Sequence, residues 1–171
     1  MQRIAKFHKV SIQQFKKDWV DTFGDAGSKI EEIYENLKLP KRATAGSAGY
    51  DFYAPIDFVL KPGETIKIPT GIRVEMEHNW VLKCYPRSGL GFKYRLQLNN
   101  TVGIIDSDYF YSDNEGHMFA KITNDSNEDK TVEIKAGEGF MQGIFVEYGI
   151  TVDDDVTEVR NGGFGSTTKG A

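Results

Sequence analysis

A chain of 171 residues is long enough for one ordinary domain with some decoration, and 39% hydrophobic against 27% charged residues fits a folded globular protein rather than a disordered one. The formal charge of −4 supplies no overall basic field, which argues against stable nucleic-acid binding through phosphate contacts but leaves room for a small anionic ligand held by a local cluster of donors. The single cysteine, Cys84, permits no internal disulfide. With no signal-peptide core in residues 1–9 and no membrane-length apolar window, the expectation is a cytoplasmic protein in a reducing compartment, without a membrane partner.

The first 40 residues differ in kind from the rest. Ile12, Phe15, Trp19, Val20 and Phe23 recur at helical spacing, Ser11 with Gln14 makes a capping-box pattern, and Gly24-Asp25-Ala26-Gly27 ends the helix. Ser28 and Glu31 repeat the capping signal for a second helix that carries Ile30, Ile33, Tyr34 and Leu37 on one face and stops at Pro40. Two short amphipathic helices cannot hide both stripes from water against each other alone, so they are expected to dock on the main domain or on a partner.

From Tyr50 onward the period becomes two. Ile66 and Ile68 precede Pro69-Thr70-Gly71; Ile72, Val74 and Met76 alternate with Arg73, Glu75 and Glu77; Trp80, Leu82 and Cys84 alternate with Val81, Lys83 and Tyr85. Further runs cover residues 96–98, 118–122, 132–134 and 141–146. Strands this short, split by Gly, Pro and Asn, predict an all-β sandwich or barrel. After Asp153-Asp154-Asp155 the chain turns glycine-rich. The predicted division is a helical extension (1–37), a β-domain (38–155) and a C-terminal arm (156–171).

Three stretches can carry chemistry. Residues 98–109 run as an apolar strand through Gly103 and Ile104-Ile105 to Asp106, then Asp108 and Tyr109; a carboxylate held at a strand end beside apolar walls can orient a water or a ligand, and a strand ending in a polar turn is the plain alternative. Tyr85-Pro86-Arg87-Ser88-Gly89-Leu90-Gly91 places a guanidinium, a hydroxyl and freed backbone amides directly after a strand, which suits a phosphate and equally suits an ordinary turn. Arg160-Asn161-Gly162-Gly163-Phe164-Gly165-Ser166-Thr167 reads as a floppy tail, or as a lid whose phenylalanine packs on a nucleotide. Other features read as structural. His8, His78 and His117 with Cys84 make no metal spacing, and Cys84 fits a core thiol. Glu32 and Glu35 supply one E-x-x-E pair where magnesium-chelating all-α pyrophosphohydrolases need two, so they read as a solvated helix face.

Five pieces, Ala48-Gly49-Tyr50-Asp51-Phe52, Pro86-Arg87-Ser88-Gly89-Leu90, Val102-Gly103-Ile104-Ile105-Asp106-Ser107-Asp108-Tyr109, Ala136-Gly137-Glu138-Gly139-Phe140-Met141-Gln142 and residues 160–167, resemble in order those of the trimeric all-β dUTPases. The resemblance starts near Leu37 and leaves the helical extension outside. It implies a jelly-roll-like β-clip barrel with an added N-terminal pair of short helices, and a homotrimer with active sites at its interfaces. It also implies Mg²⁺-dependent hydrolysis of dUTP to dUMP and pyrophosphate, which supplies dUMP and keeps uracil out of DNA.

Carried over residue by residue, Asp106 holds the water that attacks the α-phosphorus, and Tyr109 packs under the deoxyribose. Asn100, Gly103, Ile104, Ile105 and the backbone near Phe119 meet uracil. Arg87, Ser88 and Gly89 of a neighbouring subunit, with Gln142, hold the phosphates. Asp51 touches magnesium through water only. Arg160, Phe164, Gly165 and Ser166 close over the site, with Arg160 at the γ-phosphate. Asp108 is expected to be a turn residue.

The chain also departs from the family pattern. Phe110-Tyr111 stands where many members have Arg-Gly and is followed by an apparent insertion, residues 112–116. Gly139 replaces a usual arginine, Thr168 a common glycine, and Arg160 sits one residue closer to Phe164 than in some members. A dCTP deaminase on the same fold needs a glutamate that residues 104–109 lack, and a non-catalytic nucleotide- or protein-binding module has no use for Asp106 together with the Phe164 arm.

Overall fold

The computed structural model describes residues 1–24 and 29–161. It opens on a strand that periodicity does not announce, β1 (Ala5–Lys9), because Phe7 is its one large apolar side chain. That ring packs on Tyr50, Phe52 and Phe145, which ties the start of the chain into the main core. The two predicted helices follow as α1 (Ile12–Phe23) and α2 (Lys29–Glu35).

The N-terminus of α1 departs from a capping box in an informative way. Ser11 Oγ accepts from the Gln14 N–H at 3.1 Å as expected, but the Gln14 side chain donates instead to Asp18 at 2.9 Å. The Ser11 N–H and hydroxyl both go to the carboxylate of Glu115, at 2.8 and 2.5 Å, so the return half of the cap comes from a distant part of the chain. Gly24, at φ 79°, ends α1 with its N–H on the Val20 carbonyl. Ser28, the second predicted cap, lies outside the described residues.

The expected docking is on the chain's own β-domain. Val10, Phe15, Trp19, Ile30 and Leu37 form a small buried cluster, and it seats on the turn at Gly71. There φ is +74°, and a Cβ would overlap Leu37 Cδ1 and press on the Phe15 ring. Glycine is required at that turn on both counts.

Eleven strands follow among the described residues: β2 (Lys41–Arg42), β3 (Tyr50–Tyr53), β4 (Phe58–Leu60), β5 (Thr65–Pro69), β6 (Ile72–Met76), β7 (Trp80–Pro86), β8 (Leu96–Leu98), β9 (Gly103–Ile105), β10 (Phe119–Asn124), β11 (Val132–Ile134) and β12 (Gly139–Glu147). The runs predicted from period-two alternation are β5 to β8 and β10 to β12. All pairings are antiparallel: a five-stranded sheet β2-β3-β12-β7-β9, a three-stranded sheet β5-β10-β8, and the pairs β11-β4 and β1-β6. Phe52, Ile68, Leu82, Leu96, Ile122 and Phe140 are fully buried between them.

Among the described residues the fold is mostly β with three helices, not all-β with helices confined to the N-terminal extension. A third helix, α3 (Ser88–Tyr94), directly follows β7, and Ser107–Tyr111 form a 3₁₀ turn. Gly89 and Gly91 hid α3 from the sequence, since glycine costs about 1 kcal/mol in a helix interior relative to alanine. The helix closes at Arg95, in the left-handed region at φ 50°, whose N–H reaches the carbonyls of Gly91 and Leu90. No helix among the described residues is long and apolar enough to cross a membrane.

Candidate active site

A cavity of about 600 Å³ opens between β9, the 3₁₀ turn and β10. Its walls are apolar (Ile105, Met118, Met141), and its polar groups converge from Asn100, Asp106 and Arg160. Tyr109 is 6% exposed and forms one side. Its hydroxyl donates to the His117 carbonyl at 2.5 Å and accepts from Asn114 Nδ2 at 2.9 Å. Burial, the larger influence, pushes the phenol above its ordinary 10, so it stays protonated and keeps donating. Asp106 sits at the mouth, where β9 gives way to the turn. Arg160 grips it at 2.6 Å through one guanidinium nitrogen and holds Asp108 at 2.8 Å through another.

Cys84 lies under the cavity at 2% exposure, and burial pushes its thiol up to about 12. A thiol so far from ionisation is no nucleophile. A Cβ at Gly103 would meet the Cys84 Cβ at 3.0 Å, so a larger residue there would crowd β9 off β7.

A second, more polar pocket lies where β3, β12 and the start of α3 meet, and holds Asp51, Arg87, Ser88, Gly89 and Gln142. Arg87 Nε donates to Asp51 Oδ1 at 3.0 Å, and the guanidinium reaches the Gly139 carbonyl at 3.3 Å. A Cβ at Gly139 would stand 3.1 Å from the Arg87 guanidinium, so the glycine found there leaves Arg87 room to lie across β12. Gln142 Nε2 donates to the Pro86 carbonyl at 3.1 Å, and its Oε1 fills the space a side chain at Gly49 would need.

The two pockets are on opposite faces of one sheet. Met141 and Gln142 are neighbours on β12, and side chains alternate across a strand. Met141 lines the apolar cavity and Gln142 the polar pocket. A ligand seated in one pocket of a single chain therefore has the sheet between it and the other.

A family model described as dUTPase matches residues 35–168. The chain belongs to the dUTPase family. It is similar to the curated "Deoxyuridine 5'-triphosphate nucleotidohydrolase" of Lactococcus lactis, at 42% identity over 82% of this chain and 96% of the relative. Among solved structures it resembles a dUTPase from Streptococcus mutans, with 41% identity, a TM-score of 0.59, and coverage of 68% of this chain and 90% of that one. A dUTPase of phage phi11 of S. aureus, described with a structural Mg(II) ion, shares the fold at 20% identity and a TM-score of 0.62, over 91% of this chain and 98% of its own.

Of the residues singled out by likeness to the family, Asn100, Gly103, Ile104, Ile105, Asp106, Tyr109, Phe119 and Arg160 line the apolar cavity. Asp51, Arg87, Ser88, Gly89 and Gln142 line the polar pocket. Phe164, Gly165 and Ser166 lie outside the described residues. Arg160 stands with Asp106 rather than beside Arg87. Asp108, read as a turn residue, is in the 3₁₀ turn and is also a partner of Arg160. Asn114 and His117, partners of the Tyr109 hydroxyl, belong to no motif: Asn114 falls in the segment 112–116, and His117 stands alone among the histidines in the sequence.

Proposed function

We propose that the chain hydrolyses dUTP to dUMP and pyrophosphate at a site assembled from the apolar cavity of one subunit and the polar pocket of another. The observation that carries this is the division of the two pockets between opposite faces of β12: one nucleotide can use both only if a second copy of the chain supplies the phosphate-binding face. A homotrimer of jelly-roll-like barrels meets that demand with three equivalent sites, closed symmetry being the usual outcome for identical subunits. The extension (1–37), barrel (38–155) and arm (156–171) are then a scaffold addition, a catalytic body and a lid.

Within the cavity the base lies against the β9 backbone at Gly103, Ile104 and Ile105, with Asn100 and the backbone near Phe119 matching its edge. Tyr109 presents its ring to the deoxyribose and has no spare hydroxyl with which to reward a 2′-hydroxyl. Asp106, at the mouth of the cavity, orients the attacking water. Positioned base help is worth roughly 10²–10⁴ in rate, too little for phosphoanhydride hydrolysis alone. Arg87, Ser88, Gly89 and Gln142 hold the phosphates in line and stabilise the charge that spreads over them.

The residues present also fit Mg²⁺ held chiefly by the substrate. No group of three or more His, Cys, Asp or Glu is placed to cage an ion among the described residues. Asp51 offers a single carboxylate, already shared with Arg87, which suits contact through the ion's own waters. When bound, Mg²⁺ supplies neutralisation of triphosphate charge.

Closure of the arm brings Arg160 to the γ-phosphate, with Phe164, Gly165 and Ser166 over the base, which requires Arg160 to leave Asp106. Asp106 is about half exposed, while Arg160 is mostly covered and shared with Asp108, so the triphosphate must replace both carboxylates as partners of the guanidinium. The test is pyrophosphate release with Mg²⁺ from dUTP, UTP, dCTP and dTTP. Only dUTP is expected to turn over well, and equal use of all four would sink the proposal.

A further inference from the structure

Resting on that nucleotide reading of the cavity, we propose that Asp18 of α1 is a positioning residue for the site. Through the His117 ring it fixes the turn from which the Tyr109 hydroxyl hangs, and so sharpens the choice of deoxyribose over ribose.

His117 is completely buried at the entry to β10. Its Nε2 lies 2.8 Å from the Gly71 nitrogen, and a backbone N–H can only donate, so Nε2 carries no proton. The ring proton is therefore on Nδ1, which donates to Asp18 Oδ2 at 2.5 Å. The imidazole is clamped at both nitrogens by two different elements, a helix of the extension and the turn between β5 and β6. The carbonyl of this same residue receives the Tyr109 hydroxyl. The ring also lies 4.7 Å from that of Phe119, which lines the cavity two residues on. One residue thus links Asp18 to both the sugar-facing ring and the base-facing strand.

A second tie runs in parallel. The start of α1 holds Glu115 through Ser11, and Glu115 adjoins Asn114, the other partner of the Tyr109 hydroxyl. Helix α1 thus grips the 114–117 turn at two points. Helix α1 and the 114–117 turn act as one device. Docking alone is served by the apolar cluster around Phe15 and Trp19. Sequestering a carboxylate and an imidazole from water costs free energy that a purely structural anchor avoids.

The experiment compares kcat/KM for dUTP and UTP, with Mg²⁺, in wild type, Asp18→Ala, Asp18→Asn and Trp19→Phe, alongside thermal melting. Asp18→Ala is expected to lower the dUTP:UTP ratio about tenfold, short of the ~10² that a full ångström of misplacement costs. Asp18→Asn, whose amide oxygen still accepts from Nδ1–H, keeps the ratio. Trp19→Phe lowers the melting temperature and also keeps it. An unchanged ratio in folded Asp18→Ala, or an equal fall in Trp19→Phe, would overturn the proposal. Should Asp18→Ala not fold, the His117 Nδ1–H proton resonance of wild type decides: it is expected to shift when dUMP saturates the site, and a resonance that does not move contradicts the coupling. Wild type that used UTP as readily as dUTP would overturn the functional reading first, with no variant required.

Discussion

The apolar cavity and the polar pocket solve different problems. The cavity is braced by the helical extension: Tyr109 hangs on His117 and Asn114, His117 on Asp18 and Gly71, and Glu115 on Ser11. The pocket is held from nearby strands, Arg87 on Asp51 and Gly139, Gln142 on Pro86. A site that must reject a hydroxyl or a methyl group needs walls that cannot yield, and those come from long-range packing. A site that must grip a flexible, charged chain needs donors at a surface where a second subunit can meet them. Shape is braced by the helical extension, and charge is held within the β-domain.

Variants sharpen that contrast. Asp106→Asn should lower kcat by roughly 10²–10⁴ while leaving nucleotide binding near normal, since the amide keeps the shape and loses the base; single-turnover pyrophosphate release and titration with dUMP read the two effects apart. Phe15→Ala should cost about 3–5 kcal/mol in chemical denaturation, as expected for a fully buried aromatic, and should loosen the nucleoside cavity without touching the phosphate pocket. Arg87→Ala should lower kcat by about 10²–10³, the usual loss for one transition-state donor, and leave the melting temperature almost unchanged. Arg87→Lys should restore little, because a point charge cannot reproduce the guanidinium fork.

The smallest effect is one of pH. Burial by itself raises the Asp18 carboxyl, but the hydrogen bonds from His117 and Gln14 outweigh it and hold the group below its ordinary 3.8. A depressed folded-state value means that its contribution to stability is complete above the unfolded value. It is lost as pH falls through the folded one. Acid unfolding of Asp18→Asn should therefore fall less steeply below about pH 4 than that of wild type, followed by circular dichroism.

Legibility in the sequence follows the same division. The polar pocket was readable because Arg87, Ser88 and Gly89 are adjacent, and chemistry confined to four residues survives as a motif. The β-domain was readable because alternation is a local property, and α1 and α2 because their stripes and caps are local too. What escaped depends on distance or on partners. β1 has one large apolar residue and becomes a strand only by pairing with β6. α3 carries two glycines that contradict its helicity. His117 looked like an isolated histidine because Asp18 and Gly71, which give it a role, are far from it in the sequence. Asp108 is a turn residue whose second role, holding Arg160, depends on a partner far from it in the sequence.

The division of one site between two faces of a sheet can be tested without any structure. Arg87→Ala and Asp106→Asn, each nearly inactive alone, are mixed in equal amounts under conditions that let subunits exchange. If a site takes Asp106 from one chain and Arg87 from another, random assembly restores both groups at about a quarter of the sites, and pyrophosphate release from dUTP should return to roughly that fraction of wild type. Activity that stayed at the sum of the two separate variants would mean that each chain uses its own Arg87, and the shared site would be wrong.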